Sequence, residues 1–338
     1  MGILKIYKTA IIGCGVIHSL HADAVASYPH AELKAVVDVD EKKSEASARR
    51  YGCTALTDYR EALADPEIDV VHICTPHYLH APMAIEAMKA GKHVLTEKPM
   101  AISVDECLKM TGVSAETDRQ LGVCFQNRYN TTSRYIKTLL ESGKAGRILA
   151  AKASVTWLRG QDYYGSASWR GTWAQEGGGV LINQSIHTLD LLRWFAGKAV
   201  KIKGNADTRF LEDIIEVEDT AEATILFENG ARGFFFATNG YADAPVELQL
   251  VCENAVMTLS GDLTVRYRNG ESEVITDVQP KTGEKAYYGT GHASLIEDFY
   301  DSLLAGKPFA VDGSQGIEAI RLIHALYKSS ESRAWVEL

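Results

Sequence analysis

Apolar residues in the first 125 positions gather into short β-rich runs divided by stretches of helical period. The runs Thr9–Ile12, Leu33–Val37, Val70–Cys74, His93–Thr96 and Leu121–Phe125 are predicted as strands, with a shorter one at Thr54–Leu56. Leu20–Ser27, Glu41–Tyr51, Ala81–Ala90 (closed by Gly91) and Val104–Thr117 are predicted as helices, with Asp58 and Ser103 as N-caps. Alternation of this kind implies a doubly wound parallel sheet, the Rossmann type of α/β domain, over residues 1–129.

Beyond Tyr129 the period changes. A helix (Thr132–Ser142) precedes a strand (Leu149–Trp157) and an aromatic, glycine-rich segment. A long helix is predicted over Val180–Ala196, ended by Gly197. Several strands then follow from Val200 to Thr276, with turn signals at Glu228-Asn-Gly230 and Arg268-Asn-Gly270. Two last helices, Ser294–Ala305 and Gln315–Ser330, complete an α+β domain over 130–338 whose sheet is largely antiparallel.

Composition narrows the class. With 46% hydrophobic and 23% charged residues the chain is globular, and 338 residues suit two domains. A formal net charge of −9, with no basic run to offset it, argues against nucleic acid as a partner. No stretch reaches the roughly 20 apolar residues of a membrane span, and the opening residues lack a secretory pattern. The six cysteines are scattered without a Cys-x-x-Cys pair, which is the usage of a reduced, cytoplasmic protein.

Candidate chemistry begins at Gly13-Cys-Gly15, after the first strand. Two glycines there let backbone turn tightly and approach a pyrophosphate at a helix N-terminus, with Val16 and Ile17 continuing the turn. The fingerprint's third small residue is replaced by His18. Asp38 ends the second strand, where an acid accepts hydrogen bonds from the adenosine ribose; a solvated helix cap is the alternative. Since no arginine follows Asp38, NAD(H) is favoured over NADP(H). Thr75-Pro76 and Glu97-Lys98-Pro99 end further strands, so four segments converge on the sheet edge where ligands bind.

Taken together, Gly13-Cys-Gly15-Val-Ile with His21, Cys74-Thr-Pro76 with His80, and Ala90-Gly-Lys-His-Val-Leu-Thr-Glu-Lys-Pro99 resemble the Gfo/Idh/MocA oxidoreductases, the family of glucose–fructose oxidoreductase and inositol dehydrogenase. The resemblance continues through Gly177-Gly-Gly179, His187-Thr-Leu-Asp190 and the segments around Asp298 and Gly306-Lys-Pro308, nearly the whole chain. It implies that Lys98 is the catalytic lysine beside nicotinamide, that His187 is its partner near the substrate carbinol, and that Glu97 and His80 line the cofactor cleft. One departure matters: the family's Asp-x-Gly-x-His-x-x-Asp appears as Asn183-Gln-Ser-Ile-His187-Thr-Leu-Asp190. Asn183 can orient a hydroxyl but cannot take its proton.

The residues support the same chemistry independently. Taking hydride from a carbinol carbon requires a group of suitable pKa on the hydroxyl, and a partly desolvated lysine fits, although Lys98 could instead be a surface partner of Glu97. Asn183, His187 and Asp190 are spaced i, i+4, i+7, one face of the predicted helix; a core histidine satisfied by Asp190 fits that spacing equally. Trp169 and Arg170, in the aromatic segment Trp157–Trp173, suit the face and hydroxyls of a sugar ring, or are packing residues. Tyr288 and His292 are weaker candidates. His72, His77, His80 and His93 follow no usual ligand spacing, and no metal is expected.

The favoured expectation is an NAD(H)-dependent dehydrogenase acting on a secondary alcohol or ketone of a sugar, glycoside or cyclitol. A glycosidase that oxidises its substrate transiently and a non-catalytic sugar or nucleotide sensor are the alternatives. A homodimer or homotetramer is expected, because Gly233-Phe-Phe-Phe-Ala237 places apolar side chains on both faces of a strand.

Overall fold

The computed structural model describes residues 5–241, 245–277 and 291–338. The chain divides into two compact units, Met1–Gln126 with Gly291–Ile317 and Asn127–Thr290 with Glu318–Leu338. It therefore changes unit three times, where the sequence suggests one boundary near Tyr129.

The first unit is built on strands β1 (Tyr7–Ile12), β2 (Ala31–Val37), β3 (Thr54–Leu56), β4 (Val70–Ile73), β5 (His93–Thr96) and β6 (Leu121–Val123). They form one parallel sheet in the order β3-β2-β1-β4-β5-β6. Helices α1 (His18–Ser27), α2 (Glu41–Tyr51), α3 (Tyr59–Ala64), α4 (His80–Lys89) and α5 (Val104–Thr117) alternate with the strands. Strand order reverses between β1 and β4, so the carboxyl ends of these strands open a crevice. The Asp58 and Ser103 caps form as expected: Asp58 accepts from Arg60 N and Ser103 from Glu106 N. The Glu106 carboxylate reaches back past the cap and accepts from Ile102 N at 3.2 Å. The distant helix Gly291–Leu304 completes this unit, placing Phe299 against Gly122 and the Tyr300 hydroxyl 2.6 Å from Thr9.

The second unit contains α6 (Thr131–Glu141), β7 (Ile148–Thr156), α7 (Gln161–Tyr164), α8 (Ile186–Ala196) and β8 (Ala199–Asp207). Then come β9 (Thr220–Phe227), β10 (Arg232–Thr238), β11 (Glu247–Cys252), β12 (Ala255–Ser260), β13 (Asp262–Tyr267) and β14 (Ser272–Ile275). Helix α9 is the Gly291–Leu304 helix already placed, α10 is Gly313–Ser332, and β15 is Val336–Glu337. The nine-stranded sheet runs β14-β13-β12-β11-β7-β10-β9-β8-β15, and only the β7–β10 pair is parallel. Burial alternates along β9, β10 and β11. Phe235 and Leu250 are buried, Phe234 is exposed on the other face, and α8 packs against β7, β10 and β11. No helix among the described residues is long and apolar enough to cross a membrane.

One predicted element is shorter than its apolar pattern suggests. Instead of a helix from Val180, turns occupy Leu181–Gln184 and α8 begins at Ile186. The cause is the buried Glu218, whose carboxylate accepts the N–H groups of Gly179 and Leu181 at 3.0 Å while its own carbonyl accepts from Val180. A Cβ on Gly179 would lie 1.9 Å from Glu218 O, so only glycine admits this approach. Gly179→Ala should therefore destabilise by about 2 kcal/mol or more, in the range of overpacked cores. Gly160→Ala, with nothing within 4 Å, should change stability little. Equal denaturation midpoints for the two variants would contradict this reading.

Candidate active site

In the first unit, four segments meet the carboxyl edge of the parallel sheet. Gly13 has φ +98° and an added Cβ would lie 2.6 Å from Cys74 O, while nothing lies within 4 Å of a Cβ on Gly15. The glycine turn is thus pressed against the end of β4 on one side and open on the other. Ile17, at the N-cap of α1, supplies no side-chain acceptor for the first amides of the helix. His18, in the place of a small residue, is buried with Nε2 2.9 Å from Ser47 Oγ and its ring edge-on to Tyr51. It joins α1 to α2 by a hydrogen bond where a small residue would allow backbone approach.

Asp38 follows β2. Its Oδ2 accepts from Cys14 N at 2.8 Å and its Oδ1 from Asp40 N at 2.9 Å. Each oxygen keeps a second lone pair, so the carboxylate can hold the glycine turn and still accept from a diol. Thr75 Oγ1 is a buried hydroxyl with no hydrogen-bond partner among the described residues. His80 ties this corner together, with Nδ1 2.7 Å from Pro99 O and Nε2 2.8 Å from Thr75 O. Burial lowers its pKa against the pull of those two carbonyls.

Glu97 is the buried centre of this edge. Burial opposes its charge, but hydrogen bonding and positive charge from His21 and His292 outweigh burial and hold the carboxyl well below the usual range. His21 Nε2 lies 2.9 Å from Glu97 Oε1, and His21 Nδ1 lies 3.0 Å from His72 Nδ1. His72 Nε2 lies 3.0 Å from the Tyr300 hydroxyl, which reaches Thr9. Burial, then the neighbouring His21, lowers the His72 pKa well below its ordinary value. His292 Nε2 stands 3.4 Å from the same Glu97 oxygen. His21, Glu97 and His292 bring ligand-type atoms within 4.8 Å of one another, a different set from the four histidines weighed above. Here those atoms pair with each other. Glu97 Oε2 accepts from Lys98 N at 3.2 Å, and the Lys98–Pro99 peptide is cis. From Val94 to Ala101 every side chain is buried except that of Lys98.

In the second unit the Gly177–Gly179 turn presents Asn183 and His187. Asn183 Nδ2 donates to Glu176 Oε1 at 2.5 Å and to the Tyr163 hydroxyl at 3.1 Å. Arg170 hydrogen-bonds the same phenol and stacks on the rings of Tyr163 and Trp169, 4.3 and 4.6 Å from their centroids. The chain's match to known proteins extends over both units. Residues 7–125 match the model of an oxidoreductase family's NAD-binding Rossmann fold, and residues 137–338 match that family's C-terminal alpha/beta domain. The chain belongs to the Gfo/Idh/MocA oxidoreductase family.

Several Gfo/Idh/MocA members are similar along their whole length. The myo-inositol 2-dehydrogenase of Thermotoga maritima is 26% identical, with 98% of each chain covered. The D-glucoside 3-dehydrogenase of Escherichia coli is 28% identical over 98% of this chain and 97% of its own. Among solved structures, the WlbA dehydrogenase from Bordetella pertussis in complex with NADH and UDP-GlcNAcA is 28% identical, with a TM-score of 0.86 and 99% of each chain covered.

Within this Gfo/Idh/MocA chain, the first unit brings Gly13, Gly15, Val16, Ile17, Asp38, Thr75, Pro76, His80, Glu97 and Lys98 to one sheet edge. Trp169, Arg170, Asn183 and His187 lie in the second unit, and Tyr288 falls outside the described residues. Asp190, on the same helix as His187, is held by Arg128. Both its oxygens accept from Arg128, at 2.7 and 2.5 Å, in a buried pair. Breaking such a pair typically costs about 3–5 kcal/mol. The motif's last acid thus anchors α8. Glu176, Glu218 and Arg128 were not singled out by sequence; a lone acid before three glycines carries no periodic signal.

Burial pushes the Glu218 carboxyl up to about 7, against the lowering effect of the amides it accepts from. A carboxyl raised on folding contributes stability below its unfolded pKa, near 4.3, which is lost as pH rises through about 7. Glu218→Gln keeps an acceptor for Gly179 and Leu181 without the charge. The variant should therefore lose less melting temperature than the parent between pH 6 and pH 8.5. Parallel losses would place the Glu218 carboxyl at an ordinary value.

Proposed function

We propose that this protein is an NAD(H)-dependent dehydrogenase acting on a secondary alcohol or ketone of a sugar, glycoside or cyclitol. The observation that carries the reading is Lys98, the one partly exposed side chain in an otherwise buried turn, on the sheet edge that also holds the glycine turn and Asp38. The inositol and glucoside dehydrogenases similar to this chain, and WlbA with NADH bound, support the same class.

The residues present fit the dinucleotide. Gly15 leaves the turn before α1 open for a pyrophosphate, Asp38 retains lone pairs for ribose hydroxyls, and Thr75 offers a buried hydroxyl with no partner among the described residues. When bound, NAD supplies the hydride acceptor or donor. A 2′-phosphate would face Asp38 and Asp40, which favours NAD(H) over NADP(H).

Lys98 takes the hydroxyl proton on oxidation and returns it on reduction. Its backbone is fixed by Glu97, so the side chain leaves a rigid turn. His187 holds the reacting oxygen and shares the proton transfer. Asn183 orients a hydroxyl, while Trp169 and Arg170 receive the ring and its substituents. The six cysteines are all unpaired thiols, in keeping with a cytoplasmic setting. The outward Phe234 and the partly buried Phe236 of β10 suit a sheet face covered by a second copy, as a homodimer or homotetramer. Light scattering at micromolar concentration should give a multiple of 37.0 kDa; a monomer mass would contradict the assembly.

Lys98→Ala should lower turnover by roughly 10²–10⁴ and leave NAD binding nearly unchanged. His187→Ala should cost a comparable factor and also raise KM, because a substrate contact is lost with it. Steady-state kinetics, with NAD(H) and NADP(H) binding followed separately by fluorescence, checks both variants. Near-normal turnover in Lys98→Ala would remove the assignment and favour a base elsewhere.

A further inference from the structure

Two arginines of the second unit are brought to one aromatic ring. The guanidinium carbon of Arg170 lies 4.3 Å from the centre of the Tyr163 ring, and that of Arg159 lies 5.3 Å from the same centre. A second ring steadies each of them, Trp169 at 4.6 Å for Arg170 and Trp157 at 5.4 Å for Arg159. Arg159 and Tyr163 line, with Gln161 and Asp162, a cavity of about 720 Å³. The chain carries 44 acids against 35 lysines and arginines, yet neither guanidinium pairs with a carboxylate among the described residues. Asp162, the acid of the lining, is exposed and pairs with neither.

Arg170 shows which donors are uncommitted. Its Nη1 donates to the Tyr163 hydroxyl, while its Nε is a buried donor with no hydrogen-bond partner among the described residues. Nε and Nη2 together form the planar fork that takes a carboxylate in two parallel bonds. Arg128 uses that fork in this same chain, where Nε and Nη2 grip the two oxygens of Asp190 at 2.7 and 2.5 Å. In Arg170 the fork is aligned by the stacking and by the Nη1 bond, and it grips nothing among the described residues. Buried donors are rarely left without an acceptor, and two positive charges held against one apolar ring repel each other. A water molecule answers the donor but not the charge. A planar anion answers both.

We infer that Arg170, with Arg159 beside it, is a carboxylate-binding subsite, and that the preferred substrate is a sugar acid rather than a neutral sugar. The inference rests on the dehydrogenase reading and names its substrate class. The Tyr163 hydroxyl that holds Arg170 also accepts from Asn183 Nδ2 and from Gln184 Nε2, each at 3.1 Å. One phenol thus ties the subsite to the residue proposed to orient a substrate hydroxyl. An acid group gripped in two bonds has one orientation, which fixes where the ring hydroxyls fall relative to Asn183. Neutral hexoses and cyclitols have no charge to place on the fork and are weaker substrates of the same site.

The test measures binding of D-glucuronate and D-galacturonate to the NADH-loaded protein by calorimetry, against their methyl esters, the parent hexoses and the hexose 6-phosphates. At least one uronate should bind about 10–100-fold more tightly than its ester or its hexose, the worth of a charge-assisted pair. The margin should narrow in high salt. Arg170→Gln should bring that uronate and its ester to nearly equal affinity, while binding of the ester changes less. Arg170→Lys keeps the charge without the fork and should recover only part of the margin. Arg159→Gln leaves the fork in place, so it should reduce the margin without abolishing it, and it serves where an Arg170 variant fails to fold. Uronates binding no better than their esters and hexoses in the unmodified protein would overturn the inference. So would a hexose 6-phosphate binding more tightly than either uronate, or an undiminished margin in Arg170→Gln. NADH formation from NAD is followed on the same compounds. A uronate bound with that margin but never oxidised keeps the subsite and removes the dehydrogenase reading. Oxidation of hexoses with no preference for a uronate does the reverse.

Discussion

A carboxylate taken out of water must be repaid by donors and opposite charge, and Glu97 is the place in the first unit where that requirement organises most of the surroundings. At 6% exposure, Glu97 receives His21 from α1 and His292 from α9, and His21 leads on to His72 of β4, Tyr300 of α9 and Thr9 of β1. Sheet, first helix and a helix from far along the chain are joined by one run of donors and acceptors. The run ends on the acid that accepts from Lys98 N. A turn so anchored leaves one side chain facing outward, and that side chain is the lysine on which the proposed chemistry depends.

Acids govern the second unit as well. Glu218 holds the amides of Gly179 and Leu181 and delays the start of α8, and Glu176 holds Asn183. Asp190 is spent on Arg128, which also stacks over Trp194. With these three acids committed to turn, amide and helix anchor, Asn183 and His187 are the partly exposed side chains of that stretch. A net acidic chain thus uses several of its acids as internal struts, and the charge seen in the composition is only partly a surface property.

Much of this was legible in the sequence, for a physical reason. Strands of a parallel sheet and the helices between them are specified by local period and local caps, so Thr9–Ile12, Asp58 and Ser103 could be read directly. The meeting of the glycine turn, Asp38 and Lys98 at one sheet edge was legible too, because Gly13 with its positive φ and an acid just after β2 are local features of the chain. What escaped were contacts between residues far apart in sequence. Asp190 and Arg128 are 62 positions apart and Tyr300 and His72 are 228 apart, and no periodicity connects them. The apolar pattern through Val180–Ala196 gave too long a helix because it cannot register that Glu218 captures the amides at its start. Glu176 escaped for a related reason: its importance lies in facing Asn183, and an isolated acid before three glycines looks like any other.

The central claim is that an NAD-binding family fold here carries a working proton-transfer lysine for cyclic polyols. The most direct measurement is NADH formation by the purified, unmodified protein with NAD across inositols, aldoses and glycosides, with any cleaved glycoside assayed in parallel. The account predicts a saturable rate on at least one of these compounds, with one NADH released for each molecule oxidised and no cleavage. NADH binding of normal affinity with no turnover on any of them would contradict it.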